Sequence, residues 1–364
     1  MILLTPGPVM ISERVRKALL RPDVAAAEPE FAELIQGVRR KLLQAFVPGA
    51  EAEYTAIVLT GSGSAAVEAA LVSSLPHGKR ALVINNGPCG EQMASIVGIH
   101  RLGVAELKLE WGTRPDPERL RLALRQHPEV HVVAMAHHDT GTGQINPVKE
   151  MAEVADSQNR AFLLDSVGGL GGEPVDVAGP HIYMVAGTAE TCLQGAPGVS
   201  FVLVRKGFVE RMKGYLKRSW NLHLPHYYED EERGKIPFMP ATQVYAALDE
   251  ALTELLKEGV AARAQRYRQA AETVRRKLDA LGLKPLLPPE HQSNSVTAYH
   301  LPAGLSYPVL HDRLKARGYV IAPGEGAHEG RTFRVATMGA LTAQQIEGFL
   351  AAFQQVLEMA PAAR

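Results

Sequence analysis

The chain has 364 residues, enough for two domains of unequal size around more than one core. Its 39 basic and 39 acidic residues cancel, which excludes a general binder of nucleic acid or of anionic membrane surfaces. Two cysteines, Cys89 and Cys192, are too few for a disulfide framework, and no apolar run approaches bilayer length. The N-terminal Met1-Ile-Leu-Leu-Thr-Pro-Gly-Pro8 lacks the basic and apolar regions of a secretory leader. The expectation is a soluble globular protein of a reducing cytoplasm, with neither nucleic acid nor membrane as partner.

The apolar run 55–59 predicts a strand that empties into Gly61-Ser62-Gly63-Ser64 and then into a helix over 64–75. Such a junction offers an anion close backbone approach, hydroxyl donors and the unpaired N–H groups of a helix start. Further strands are predicted at 80–84, 131–136, 161–165, 182–186 and 200–204, with helices at 91–99, 117–126 and 147–158 between them. These strands are apolar along their length, the pattern of a parallel sheet buried on both faces. Alternation with helices implies right-handed βαβ units and a doubly wound α/β fold. Beyond Pro240 the pattern predicts long helices over 241–259 and 260–282, β-type runs at 295–300 and 332–336, and a final helix. That helix opens on Thr342-Ala-Gln-Gln345, a capping-box spacing. The expected division is an N-terminal arm over 1–20, a large α/β domain over 21–245, and a linking helix with a small α+β domain over 246–364.

Ligands of doubly wound sheets sit at the carboxyl ends of the strands. Besides the Gly-Ser loop, Asp139-Thr-Gly-Thr-Gly143, Asp165-Ser-Val-Gly-Gly169 and the segment 187–195 all follow predicted strands. Four polar loops on one sheet edge predict a pocket.

With these residues laid out, the chain resembles the class V aminotransferases of the fold-type I pyridoxal-phosphate family. Within it, the likeness is to 2-aminoethylphosphonate–pyruvate, alanine–glyoxylate and serine–pyruvate transaminases. It rests on Leu4-Thr-Pro-Gly-Pro8, Glu28-Pro-Glu-Phe31, Gly61-Ser-Gly-Ser64, Asp139-Thr-Gly-Thr-Gly143, Leu164-Asp-Ser166, Gln194-Gly-Ala-Pro-Gly198 and Thr332-Phe-Arg-Val-Ala-Thr-Met-Gly339, in order over nearly the whole chain. The resemblance implies a large domain with a mostly parallel sheet and a small C-terminal domain. It implies that Ser62, Gly63 and Ser64 hold the cofactor phosphate, Asp165 pairs with the pyridine nitrogen, and Thr140 bonds the ring hydroxyl or its surroundings. Arg334 then clamps a substrate carboxylate through its planar fork. Thr242 matches a residue that reaches the phosphate of a neighbouring subunit, which implies a homodimer.

The same resemblance places the family's Schiff-base lysine on Thr191, and a hydroxyl cannot form an imine. The aromatic expected over the cofactor ring falls on Cys89, within Asn86-Gly-Pro-Cys-Gly90. Alanines in Asp23-Val-Ala-Ala-Ala-Glu28 stand where such relatives carry a His-Arg pair, and Gly168-Gly169 where small hydroxyl residues are usual. Several changes around one pocket point to a lineage released or redirected from transamination.

Plainer roles stand beside these. Asp165 and Arg334, out of context, are as consistent with a turn cap and a surface pair. Cys89 and Cys192 read as ordinary buried thiols rather than a reactive pair. In His137-His138-Asp139 adjacent histidines point to opposite faces of a strand, so a core role is preferred to a metal site. The segment His223-Leu-Pro-His-Tyr-Tyr-Glu-Asp-Glu-Glu232 reads as a solvated acidic loop, the basic stretch 263–277 as the exposed face of a helix, and Arg14, Arg16, Lys17 and Arg21 as surface charge.

The functional expectation is a family member that binds a small amino, oxo or phosphono acid but is not a competent transaminase alone. Pyridoxal phosphate, if bound, is held non-covalently, and a heterodimer with a lysine-bearing relative is one arrangement. The alternatives are an enzyme redirected to chemistry without the covalent link, and a ligand-binding or structural protein.

Overall fold

The computed structural model describes residues 1–359, so the last five residues of the predicted 246–364 segment lie outside the described residues. Seven strands form the large sheet, in the order Tyr54–Thr60, Val199–Arg205, Met184–Thr188, Ala161–Asp165, Val130–Ala136, Arg80–Asn85, Gly103–Lys108. All neighbours are parallel except Val199–Arg205, which runs antiparallel to both of its own. Apart from the edge strand Gly103–Lys108, the strands are apolar on both faces and both faces are covered. Tyr54, Ala56 and Val58 join one core with the helices Pro29–Phe46 and Thr242–Glu258, while Ile57 and Leu59 join another with Gly63–Ser74. This period-2 alternation of two apolar sets explains why the strands read as continuous hydrophobic runs.

The predicted strands lie within one to two residues of the observed ones. Met184–Thr188 starts two residues later than 182–186, and the Ile182 carbonyl accepts from Arg205 Nε at 2.9 Å. Gly103–Lys108 was not predicted. It is the sheet's other edge, with Glu106 and Lys108 exposed and only Ala105 and Leu107 buried.

A second sheet of four strands, in the order Ile2–Leu4, Tyr319–Pro323, Thr332–Ala336, Val296–His300, supports its own core with the helices Val260–Ala280, Tyr307–Lys315 and Ala343–Glu358. The capping box forms as predicted. Thr342 Oγ1 accepts from Gln345 N at 3.2 Å and Gln345 Oε1 accepts from Thr342 N at 2.9 Å. Ile2–Leu4 pairs in parallel with Tyr319–Ile321, so the first residues are built into the C-terminal sheet.

Two charged segments differ from the sequence reading. The solvated acidic loop at 223–232 is mostly the helix Leu224–Glu231, and Glu231 is fully buried. The reason lies at the free edge of the large sheet. The edge strand leaves backbone groups without ladder partners, and side chains supply them: Glu231 Oε1 accepts from Val58 N at 3.0 Å and Arg39 Nε donates to the Ala56 carbonyl at 2.9 Å. The basic stretch 263–277 is likewise not simply an exposed face. Arg263 is buried, with Nε on Glu258 Oε2 at 2.8 Å and Nη1 on the Leu193 carbonyl at 3.2 Å, and Arg275 is half-buried against Thr297.

Glu173 provides a pH test of the packing. Its Oε1 accepts from Asn294 N at 2.7 Å and Ser295 Oγ at 2.8 Å, yet burial pushes its carboxyl up from 4.5 to about 8. Below 4.5 folded and unfolded chains both carry the proton. Between the two values the unfolded chain releases it while the folded one keeps it, so stability falls as pH rises. In Glu173→Gln the melting temperature should fall less between about pH 5 and about pH 8 than in wild type; equal slopes would rule the group out.

Candidate active site

A cavity of about 810 Å³ lies between the two sheets, at the carboxyl ends of the large sheet's strands. It is lined by Ser64, Cys89, Thr140, Asp165, Thr191 and Arg334, and no lysine lines it among the described residues. A larger cleft of about 1120 Å³ opens around residues 145–153, 170–182 and 260–268, away from the Gly-Ser turn. The smaller cavity is the one on which the predicted residues converge.

Ser62 is the N-cap of the helix Gly63–Ser74, but its hydroxyl makes no capping hydrogen bond. Ala65 N donates to the Ser62 carbonyl at 2.9 Å, and the other N–H groups of the first turn are left uncapped by the Ser62 side chain. Gly63 is required by space, since a Cβ there would come within 2.4 Å of the Val167 side chain. Ser64 lines the cavity and its hydroxyl accepts from Gln92 Nε2 at 3.1 Å; Ser62 and Gly63 form the turn leading to it without lining it.

Asp165 ends its strand and is buried. Its Oδ1 accepts from Val167 N at 3.0 Å, and burial pushes the carboxyl up to about 6, with nearby Asp139 adding to the rise. A buried carboxylate at a cavity wall with one backbone donor is a fitting partner for a cation. Thr191 Oγ1 donates to the Val167 carbonyl at 2.7 Å, so the hydroxyl is tied into the same wall. The turn beyond it is held by Gln194, whose φ of 63° is supported by Nε2 hydrogen bonds to Tyr267 OH at 2.6 Å and the Gly339 carbonyl at 2.8 Å.

Cys89 is half-buried in the cavity wall, and burial together with Asp139 and Asp165 pushes its thiol up. Cys192 is buried, its thiol on the Gly168 carbonyl at 3.5 Å, and does not line the cavity. His137 and His138 make separate contacts, to Ser166 Oγ at 2.9 Å and the Gly168 carbonyl at 3.0 Å, and burial pushes them down to about 3 and about 4. Thr242 is half-buried at the start of Thr242–Glu258, its hydroxyl on Gln243 Oε1 at 3.0 Å, and does not line the cavity.

Arg334 comes from the small sheet. Its Nη1 donates to the Thr140 carbonyl at 3.0 Å, joining the two sheets across the cavity. The sequence places Asp139 in a strand-end loop but gives it no role of its own; its Oδ1 accepts from Thr142 N and Oγ1, both at 3.0 Å, and its Oδ2 from Cys89 N at 3.2 Å. The signal was present: an Asp opening a Gly-rich turn is a residue type that hydrogen-bonds backbone groups just beyond it. A Cβ at Gly87 would come within 2.3 Å of the Asp139 carboxylate. Glu190 and Glu325 also line the cavity and carried no sequence signal.

A family model described as aminotransferase class-V matches residues 17–325. A 2-aminoethylphosphonate–pyruvate transaminase of Syntrophobacter fumaroxidans is 38% identical over 345 residues, covering 93% of this chain and 91% of that one. One of Aeromonas hydrophila is 34% identical over 359 residues, covering 96% and 93%. Among solved structures, ureidoglycine–glyoxylate aminotransferase from Bacillus subtilis superposes with a TM-score of 0.91 at 26% identity, covering 100% of this chain and 94% of that one. Alanine–glyoxylate aminotransferase from Nostoc sp. also gives a TM-score of 0.91, at 24% identity over 98% and 95%. Members of this family use pyridoxal phosphate. The chain therefore belongs to the class V aminotransferases and has their fold-type I architecture.

Proposed function

We propose that the cavity binds pyridoxal phosphate without a covalent bond and takes a small amino, oxo or phosphono acid, and that the isolated chain is not a competent transaminase. The observation carrying this reading is a cavity lined by Asp165, Ser64 and Arg334 in which Thr191 stands and no lysine does, among the described residues. The residues present fit the cofactor in part. The uncapped helix start with Ser62, Gly63 and Ser64 suits a phosphate, and buried Asp165 suits a protonated ring nitrogen. Thr140 would meet the ring hydroxyl and Cys89 the ring face, with less apolar contact than an aromatic supplies. When bound, pyridoxal phosphate supplies an electron-accepting ring. This chain's part is to position the acid through Arg334, while Thr191, its proton held on the Val167 carbonyl, offers no amine base. Thr242 would serve the neighbouring subunit of a homodimer, and a lysine-bearing relative would complete a heterodimer.

The test is spectroscopic. Purified protein mixed with pyridoxal phosphate should show the absorbance band of bound free aldehyde, without the longer-wavelength band of an imine, and borohydride should not fix the cofactor to the chain. A reducible bond to any lysine of this chain would sink the proposal. Absence of any band would favour a second reading, an enzyme using Arg334, Asp165, Thr191 and Cys89 without the cofactor; buried, cavity-lining Arg334 and Asp165 speak for it over a purely structural role.

A further inference from the structure

Arg334 is only 4% exposed, and its guanidinium has three partners. Nε donates to the Pro323 carbonyl at 2.8 Å, Nη1 to the Thr140 carbonyl at 3.0 Å, and Nη2 to the Glu325 carboxylate at 2.5 Å. The two carbonyls are neutral and fixed by the backbone. Glu325 is a full countercharge, and it is the one acidic group paired with Arg334 among the described residues. It therefore occupies the position that a ligand's acid group would take on this arginine.

The two members of the pair differ in freedom. The Glu325 side chain is 45% exposed and lines the cavity. Its backbone is anchored: it lies two residues past the end of the strand Tyr319–Pro323, and its carbonyl accepts from His328 N at 2.8 Å. The next residue, Gly326, has φ 46° and lies against Trp111, where a Cβ would come within 2.3 Å of the indole. A long, half-exposed side chain on an anchored backbone can leave Arg334 by rotamer change alone. The cavity wall holds three acidic residues, Asp165, Glu190 and Glu325, against the single guanidinium of Arg334, with His311 the other basic side chain.

We propose that Glu325 is a built-in competitor for Arg334, so that an acid enters the cavity by exchanging its own anionic group for the Glu325 carboxylate. This rests on the reading of the cavity as a site for small acids. Exchange of one carboxylate for another gains little, because the guanidinium keeps the same charge and the same hydrogen bond. The cavity thus disfavours simple monocarboxylates.

Calorimetric titration with pyruvate, in wild type and in Glu325→Gln, tests this. The variant should bind pyruvate about tenfold or more tightly. That gain should vanish in the Glu325→Gln, Arg334→Gln double variant. Glu325→Ala serves as the second variant, free of an amide that could itself bond to Arg334, and near-ultraviolet circular dichroism checks folding. Unchanged or weaker binding in both single variants would overturn the proposal, as would a gain that survives loss of Arg334. The cofactor reading is judged separately by the wild-type absorbance band, so either can fail without the other.

Discussion

Thr191→Lys is expected to give a protein that retains pyridoxal phosphate through borohydride treatment and denaturation, where wild type releases it. Thr191 lines the cavity beside Val167 and within reach of the wall that carries Asp165. A lysine there extends a primary amine into a space of about 810 Å³. The substitution removes the hydrogen bond to the Val167 carbonyl, a loss of about 1 kcal/mol, small beside a covalent bond. Desolvation in the partly buried wall lowers the lysine's pKa and so favours the neutral, nucleophilic amine. Intact-mass measurement after reduction reads the outcome directly. Transamination between 2-aminoethylphosphonate and pyruvate is the second readout. Activity gained with the lysine would mean that Cys89 and the Gly168-Gly169 pair leave the pocket serviceable. A covalent bond without activity would assign the remaining defect to them, and no bond at all would remove Thr191 from the cofactor's reach.

The largest stability effect is expected at Arg39. This buried arginine joins the helix Pro29–Phe46 to the free edge of the large sheet and to the end of the helix Leu224–Glu231. Besides the Ala56 carbonyl, it donates to the Glu231 carbonyl at 2.8 Å, Gln36 Oε1 at 3.1 Å and Thr55 Oγ1 at 2.8 Å, and it pairs with Glu232. The Glu231 carboxylate lies 3.6 Å from Nε. Arg39→Met leaves those acceptors unpaired and, where Glu231 is ionised, a buried carboxylate without its countercharge, a loss of about 3–5 kcal/mol. The loss should depend on pH. Burial already pushes Glu231 up from 4.5 to about 8 while Arg39 pulls the other way. Without Arg39 the rise is greater, so the folded chain keeps its proton above about 8, where wild type releases it, and stability goes on declining with pH beyond the point at which the wild-type curve levels off. Denaturant melts at about pH 8 and about pH 10 check this, with the larger deficit at the higher pH. Arg39→Met with Glu231→Gln should recover part of the loss; if the double variant is no better than the single, the charge argument fails.

Six of the nine residues singled out from the sequence line one cavity: Ser64, Cys89, Thr140, Asp165, Thr191 and Arg334. They were legible because strand-end loops in a doubly wound sheet share one edge, and strand ends can be read from local apolar runs. Ser62, Gly63 and Thr242 stand outside the lining. Glu325 and Glu190 were invisible, since a glutamate in a loop carries no periodic signal.

What the amino-acid order determined by itself was local. Two-faced apolar strands, the Gly-Ser turn before a helix and the Thr342–Gln345 capping box all depend on residues within a few positions of one another. Backbone geometry repeats every two or 3.6 residues, so such features print directly onto the sequence. The tertiary structure decided where charge is buried. Glu231 and Arg39 lie 192 positions apart and seal a sheet edge; Arg263 meets Leu193 70 positions away; Arg334 reaches Thr140 across 194. A charged side chain is written the same way whether water or another chain segment faces it, and only the folded path sets which of these it meets.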